Sequence, residues 1–284
     1  LYLKLIDIKD YKKNKYLFEI YKPQYIFHTA AYKHVPLLED NFSEALTNNF
    51  LATINLIGLS LEFKILKFVY ISSDKAVRPT NIMGATKRLS ELHILSYLQN
   101  YDKNKLQTKF SIVRFGNVIA SKGSVLPLFN KQIAAGGPVT ITHPDIERFF
   151  MTIPEAVGLV LETCTFVKKI EIYVLDMGKP IKIIDLAKKI INLSGLKIKD
   201  SKNIDGDIEI KIIGLRPGEK LFEELFINKN IEKTSHKQIT RANEEDTDFS
   251  TLNNLIDKLN SLNVDFEKKS LLEIIEKLVD GKFK

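Results

Sequence analysis

A rhythm constrains this 284-residue chain more than any single motif does. Short apolar runs alternate with longer amphipathic ones. YIFHTAA (25–31), KFVYISS (67–73) and FSIVRFGN (110–117) are too short for helices and apolar enough for strands buried on both faces. Between them, residues 42–63 and 83–98 carry apolar side chains at helical spacing, and 124–135 repeats the pattern. Strand, helix and strand in this order predict an α/β fold: a Rossmann-like, doubly wound parallel sheet with helices on both faces.

Past Gly136-Gly137-Pro138 the rhythm loosens. A helix is predicted over 152–167 with Pro154 in its first turn, where proline is tolerated. A strand at EIYVLDMG follows, then a helix over 181–193 stopped by Gly195, a strand at IEIKIIG and a helical piece from 221–225. The expected organisation is a partial nucleotide-binding domain over 1–135, with strand 170–176 returning to its sheet. A small α/β substrate-binding lobe follows over 136–228, and a helical tail over 229–284. The opening LYLKLID lies inside an apolar alternation without an initiating Met, so the sheet is expected to be incomplete at its N-terminus.

Composition narrows the function classes. With 42 Lys+Arg against 35 Asp+Glu the net charge is +7, but the basic residues are scattered and no dense block with interleaved aromatics marks a nucleic-acid surface. Cys164 is the one cysteine and the five histidines lack metal-ligand spacing, so no disulfide framework and no metal are expected. No run of about 18 apolar residues is present to span a bilayer. A reducing, cytoplasmic compartment follows as the expectation.

In open parallel sheets, ligands bind beyond the carboxyl ends of the strands. Three polar clusters fall there: HTAAYKHVP, SSDK and RFGNVIASKGS. Small residues after His28 allow a ligand close to the backbone. Asp74 and Lys75 place an acid beside a base after a buried strand. To flank one substrate carbon, the acid must hold a proton and the amine must shed one, which desolvation of the pair promotes. Taken alone, such a dipeptide reads far more often as a surface ion pair capping a loop. Met83 and Lys87 are four apart and share a helix face. In LRPGEK, Arg216 offers a planar fork suited to a diphosphate and Glu219 an acceptor for sugar hydroxyls.

HTAAYKHVPLLEDN, ISSDKAVRPTNIMGATKR, the long run from VRFGNVIASKGS to FFMTIPEA, VLDMGKPIKIIDLA and GLRPGEKLFEEL together resemble the polysaccharide-biosynthesis (CapD-like) branch of the extended short-chain dehydrogenase/reductases. The likeness runs in order from Leu1 to about Asn228. It implies a UDP-N-acetylglucosamine 4,6-dehydratase that works by internal hydride transfer through NAD or NADP. The family's Tyr-x-x-x-Lys reads Met83-Gly-Ala-Thr-Lys87 here, a form typical of the large membrane-anchored dehydratases of the branch.

By that resemblance Lys75 is the base at C5, Asp74 the acid at C6, Ser73 the guess for the C4 hydroxyl's proton acceptor, Lys87 the partner of the nicotinamide ribose, and Met83 a wall of the pocket. Asp7, Ala30, Ala31, Asn49 and Ser72 fall at cofactor-binding positions. Lys33, Asn117, Ser124, Val125, Arg148, Arg216 and Glu219 fall at positions for the UDP-sugar. The implied partners are a UDP-sugar and a second copy of the chain. Membrane attachment is implied only through a segment outside this sequence, at the cytoplasmic face of the inner membrane. The family's glycine-rich pyrophosphate loop is missing from these 284 residues, so weak cofactor binding is expected of this chain alone. The alternatives are a C4 epimerase, a dehydratase that inverts C5, and a binding module without catalysis.

Overall fold

The computed structural model describes residues 1–100, 106–121, 123–244, 249–261 and 267–283. Along the chain these form α1 (Tyr11–Tyr21), β1 (Tyr25–His28), α2 (Val35–Asp40), α3 (Phe42–Ala45), a π-helical turn (Leu46–Leu51) and α4 (Ala52–Glu62). Then come β2 (Lys67–Ile71), a 3-10 turn (Asp74–Ala76), α5 (Ile82–Asn100), β3 (Lys109–Arg114), β4 (Asn117–Val118) and α6 (Val125–Ala134). Next are β5 (Val139–Ile141), β6 (Glu147–Arg148), β7 (Phe150–Met151), α7 (Ile153–Phe166), β8 (Ile170–Leu175), β9 (Ile181–Lys182) and α8 (Ile183–Leu193). The last elements are β10 (Ile198–Lys199), β11 (Ile208–Ile212), β12 (Ile231–Lys233), β13 (Ile239–Ala242), α9 (Phe249–Ser261) and α10 (Lys268–Val279).

The first of two compact units comprises Leu1–Phe115, Leu159–Leu175 and Glu224–Lys284. Its sheet runs β1-β2-β3-β8-β13-β12. The first four strands are parallel, with Val69 beside Ser111 and Ser111 beside Glu171. β13 joins β8 antiparallel, and β12 pairs antiparallel with β13. One face carries Phe68, Tyr70, Phe110, Ile112 and Ile172, buried with Phe18 of α1, Ile57 of α4 and Ile94 of α5. Alternate residues face the other way: the Ser111 hydroxyl donates to Thr163 Oγ1 at 3.0 Å, and Phe166 packs edge-on against Tyr173. Both faces of β2, β3 and β8 are therefore covered by helices, as a parallel sheet needs. β1 is not the expected strand buried on both faces: it lies at the sheet's edge with Tyr25 and Phe27 exposed.

The second unit comprises Gly116–Gly158 and Asp176–Glu223. A parallel three-stranded sheet, β10-β11-β5, carries Val139, Ile141 and Ile208 against Phe129 and Ile133 of α6 and Ile183, Ala187 and Ile191 of α8. Two short ladders, β4 with β7 and β6 with β9, complete it.

Three further expectations change. The first unit ends near Phe115 rather than 135, because Phe129 and Ile133 bury α6 in the second core. No helix forms over 221–225; Leu221 O accepts from Glu147 N–H and from Arg148, and Lys220 O accepts from Arg148, so these carbonyls are taken before an intrahelical bond forms. The segment from 229 opens with strands, since Ile231 and Ile239–Ala242 have period-two, β-branched character. Its helices α9 and α10 follow, burying Leu252, Leu255, Leu271 and Ile275 against Ile82, Met83 and Leu89 of α5. Residues 245–248 and 262–266 of that stretch lie outside the described residues.

Candidate active site

β2 delivers Ser72, Ser73, Asp74 and Lys75 at its carboxyl end. Ser72 N–H still bonds Val113 O and Asp74 N–H bonds Phe115 O, which ties the start of the turn to β3. The Ser73 hydroxyl donates to Asp74 Oδ1 at 2.9 Å and accepts from Lys75 N–H, capping the 3-10 turn. Lys75 Nζ meets Asp74 Oδ1 at 3.0 Å. Asp74 is fully buried, and its Oδ2 has no hydrogen-bond partner among the described residues. Lys75 is only slightly exposed, its side chain at 18%. The dipeptide is therefore not an ion pair in bulk water.

α5 packs directly on this turn. Asn81 Oδ1 accepts from Gly84 N–H and starts the helix. A Cβ at Gly84 would collide with Lys75 O, so a side chain there would push the helix off the turn. One turn on, Lys87 is 7% exposed; its Nζ donates to Ile71 O at 2.8 Å and sits 4.8 Å above the Tyr70 ring. Burial lowers the Lys87 ammonium to about 8, with Glu91 opposing the fall. Tyr70 is itself wholly buried and its phenol is pushed up by burial, so it does not substitute for the tyrosine missing at position 83. Met83 points into the hydrophobic core with Leu38, Phe42 and Leu89.

The first cluster is organised by Asn49, in the π-helical turn. Its Oδ1 accepts from Tyr32 N–H at 2.8 Å, and its Nδ2 donates to Tyr32 O and Thr86 Oγ1. One buried amide thus pins the HTAAY loop to α5; π turns recur at such positions. His28 Nε2 is 2.8 Å from Thr53 Oγ1, whose proton goes to Asn49 O. Burial, then the Lys87 charge, lowers His28 to about 3, so it stays neutral. Ala30 is exposed and Ala31 half-buried, leaving this rim open. Lys33 is exposed, and so is Asp7, whose Oδ1 accepts from Lys9 N–H.

In the second unit, Arg148 is buried and its guanidinium donates to the carbonyls of Glu147, Lys220 and Leu221, with Glu219 and Glu223 alongside at 3.5 and 3.7 Å. Glu219 accepts from Thr142 and from Arg216 N–H, closing the RPGEK turn over Gly218 at φ +71°. The Arg216 side chain itself is exposed. Asn117 lies on β4. Ser124 precedes α6, its Oγ buried and unpartnered among the described residues. Ser124 and Val125 line an apolar pocket of about 50 Å³ with Ile119, Phe150, Ile181 and Leu186.

The two groups thus form within separate units: Ser72–Lys75, Lys87, Asn49 and the Ala30–Ala31 rim in the first, Asn117, Ser124, Arg148, Arg216 and Glu219 in the second. Sequence reasoning missed Gly84, Arg114 and Glu91. The signals were a glycine inside a helical run and an arginine inside an apolar strand. No group of three or more His, Cys, Asp or Glu that could hold a metal occurs among the described residues.

The family model for polysaccharide biosynthesis proteins matches residues 1–244. The capsular polysaccharide biosynthesis protein CapD of Staphylococcus aureus is 53% identical over 210 residues, 74% of this chain and 33% of that protein. A UDP-glucose 4-epimerase of Rickettsia canadensis is 35% identical over 227 residues, covering 80% of this chain and 62% of its own. The chain therefore spans about a third of the one relative and less than two thirds of the other. Among solved structures, Pen from Bacillus thuringiensis superposes with a TM-score of 0.73 at 34% identity, covering 84% of this chain and 69% of that one. The dTDP-glucose 4,6-dehydratase DesIV of Streptomyces venezuelae, solved with NAD bound, shares the fold at 19% identity and a TM-score of 0.65, covering 78% and 69%.

Proposed function

The chain belongs to the polysaccharide biosynthesis protein family, and from that premise we propose that it is the catalytic part of a nucleotide-sugar 4,6-dehydratase acting on UDP-N-acetylglucosamine. The observation that carries the reading is Asp74: a buried carboxylate with one oxygen on Lys75 Nζ and the other unpartnered among the described residues. An orphaned buried acceptor is unfavourable by about 1–3 kcal/mol. A substrate hydroxyl in reach would satisfy it.

The cofactor is a nicotinamide dinucleotide. The open Ala30–Ala31 rim and the buried ammonium of Lys87 fit it, one by leaving space, the other by offering a donor to ribose hydroxyls. NAD(P)+ held there would supply the hydride chemistry, an acceptor for the hydride of sugar C4 and a donor of it to C6. The chain's residues move the protons. Transfer of one proton along the 3.0 Å Lys75–Asp74 contact turns the ion pair into a neutral amine beside a neutral acid. Lys75 Nζ then takes the C5 proton, which the 4-keto group has made acidic. Asp74 gives its proton to the C6 hydroxyl, which leaves as water. Lys75 returns a proton to C5 as hydride reaches C6, so the sugar loses one water and the cofactor ends unchanged. Ser73, bonded to Asp74, is assigned to relay the C4 hydroxyl proton to solvent, its oxygen taking that proton as it gives up its own. An equal proton returns to the pair after Lys75 has delivered to C5, so Asp74 and Lys75 regain their starting charges. Arg216 and Glu219 are assigned to the UDP moiety.

The epimerase relative favours a second reading, inversion at C4. Incubating the native-length protein with UDP-N-acetylglucosamine in heavy water separates the two. The dehydratase yields a product lighter by one water that carries deuterium at C5. An isomer of unchanged mass without deuterium at C5 overturns the dehydratase in favour of the epimerase.

A further inference from the structure

Behind the Asp74–Lys75 turn lies a closed ring of buried charge. Glu91, on α5, is fully buried. Its Oε1 accepts from Ser72 Oγ at 2.6 Å and from Arg114 Nε at 2.7 Å. Its Oε2 accepts from Arg114 Nη2 at 2.5 Å and Arg88 Nη1 at 2.9 Å. Arg114 and Arg88 both go on to Glu244, just past β13. Two arginines and two glutamates balance, so the ring is neutral. Burial alone would raise the Glu91 carboxyl; Arg114, then Arg88 and the Ser72 hydroxyl, hold it well below its usual range.

Of these four side chains, Glu91 has the contacts that lead to the site. Ser72 is the last residue before Ser73 and Asp74. Lys87 is one helical turn before Glu91, and Glu91 is the charge that opposes the lowering of Lys87. Glu244 instead bonds Arg88 and Arg114, on the side of the ring away from Ser72.

We propose that Glu91 is a positioning residue: through Ser72 it fixes the junction of β2 with the Asp74–Lys75 turn, and from one turn along α5 it sets the charge of Lys87. The inference rests on the dehydratase reading for its kinetic arm only. The groups facing Glu91 are Lys87 and Arg88 from its own helix, Tyr70 and Ser72 from β2, Arg114 from β3 and Glu244 after β13. Lys87, which also faces His28 of β1, is the group whose titration the variant moves.

The test compares Glu91→Gln with Glu244→Gln in the native-length protein. For Glu91→Gln, kcat falls about tenfold or more, KM for the UDP-sugar stays within about twofold, and the alkaline limb of the kcat profile moves to lower pH. Glu244→Gln lowers the melting temperature but leaves kcat and the limb in place. Equal kinetic effects from the two variants, or an unchanged limb in Glu91→Gln, overturn the proposal. If Glu91→Gln does not fold, Ser72→Ala decides. It keeps all four ring charges, and kcat drops several-fold (roughly as misalignment by a fraction of an ångström does) at unchanged melting temperature; full activity overturns the proposal. Acetic anhydride labelling of Lys87 across pH, read by mass spectrometry, is independent of the reaction. Its half-point falls in Glu91→Gln, and an unmoved half-point overturns the proposal even where the unaltered protein gives no dehydrated product, an outcome that sinks only the dehydratase reading.

Discussion

Lys87 is held by a carbonyl and a ring face and feels the charge of a carboxylate one turn away, none of which a methionine at position 83 supplies. The roles of the two residues therefore separate. Met83→Ala opens a core cavity and lowers stability by about 2–5 kcal/mol. Lys87→Ala lowers kcat far more than it lowers stability. Calorimetry beside steady-state kinetics reads both. Asp74→Asn and Lys75→Ala each lower dehydration by roughly 10²–10⁴-fold, as loss of a general acid or base does, while UDP binding stays near normal; wild-type turnover in either variant ends their assignment. The histidines give a pH prediction. His93 is buried, with Nδ1 unpartnered among the described residues, and burial lowers it to about 4; His28 is lowered to about 3. Between those values and 6.5 the unfolded chain binds a proton that the folded chain refuses. Stability therefore falls as pH drops below 6.5, by up to about 1.4 kcal/mol per pH unit for each ring. His93→Leu removes one ring, and the loss of melting temperature between pH 7.5 and pH 5 shrinks accordingly.

At the scale of elements, α5 carries the site because it approaches a turn that only glycine admits. Gly84→Ala pushes Lys75 O and the first turn of α5 apart, lowering stability by about 1–3 kcal/mol. Its kcat falls further than that loss explains, measured on protein that is fully folded at the assay temperature. The RPGEK loop is held in a comparable way by a single buried guanidinium. Arg148→Met keeps the apolar stem but leaves the carbonyls of Glu147, Lys220 and Leu221 without their donor. Each buried acceptor left unmade is unfavourable by about 1–3 kcal/mol. The expected result is a raised KM for the UDP-sugar with faster amide exchange across 216–223. A KM equal to wild type rules out this loop as the anchor of the nucleotide.

For the whole molecule, the carboxyl ends of β1, β2 and β3 provide a rim, but no glycine-rich turn is present in the sequence to cradle a pyrophosphate through its backbone N–H groups. Titration of the 284-residue chain with NAD+ or NADP+ should therefore give binding weaker than micromolar; micromolar affinity refutes this. No helix among the described residues is long and apolar enough to cross a membrane. The C-terminal stretch is part of the first core: α9 and α10 cover Met83 and Leu89, and Glu244 closes the charge ring on Arg114.

The local pattern alone determined the parallel strands of the first unit and most helices, since apolar strands and amphipathic helices write their periods directly into neighbouring residues. It did not determine β5 and β10 of the second unit. It also determined the clusters at strand ends, because polar side chains that break an apolar run mark where the chain leaves the sheet. The burial of Asp74, the orphaned state of its Oδ2 and the partners of Glu91 were decided by tertiary structure. Each depends on groups far apart in sequence, as when Glu91 meets Arg114 and Arg114 meets Glu244. The strand at 239–242 was hidden for the same reason: its pairing partner, β8, lies more than sixty residues upstream, and 231–233 is a strand only because it pairs in turn with 239–242. Arg148 is the clearest instance. The family resemblance sets it at a position for the UDP-sugar, and only the folded chain shows its guanidinium donating to main-chain carbonyls some seventy residues away.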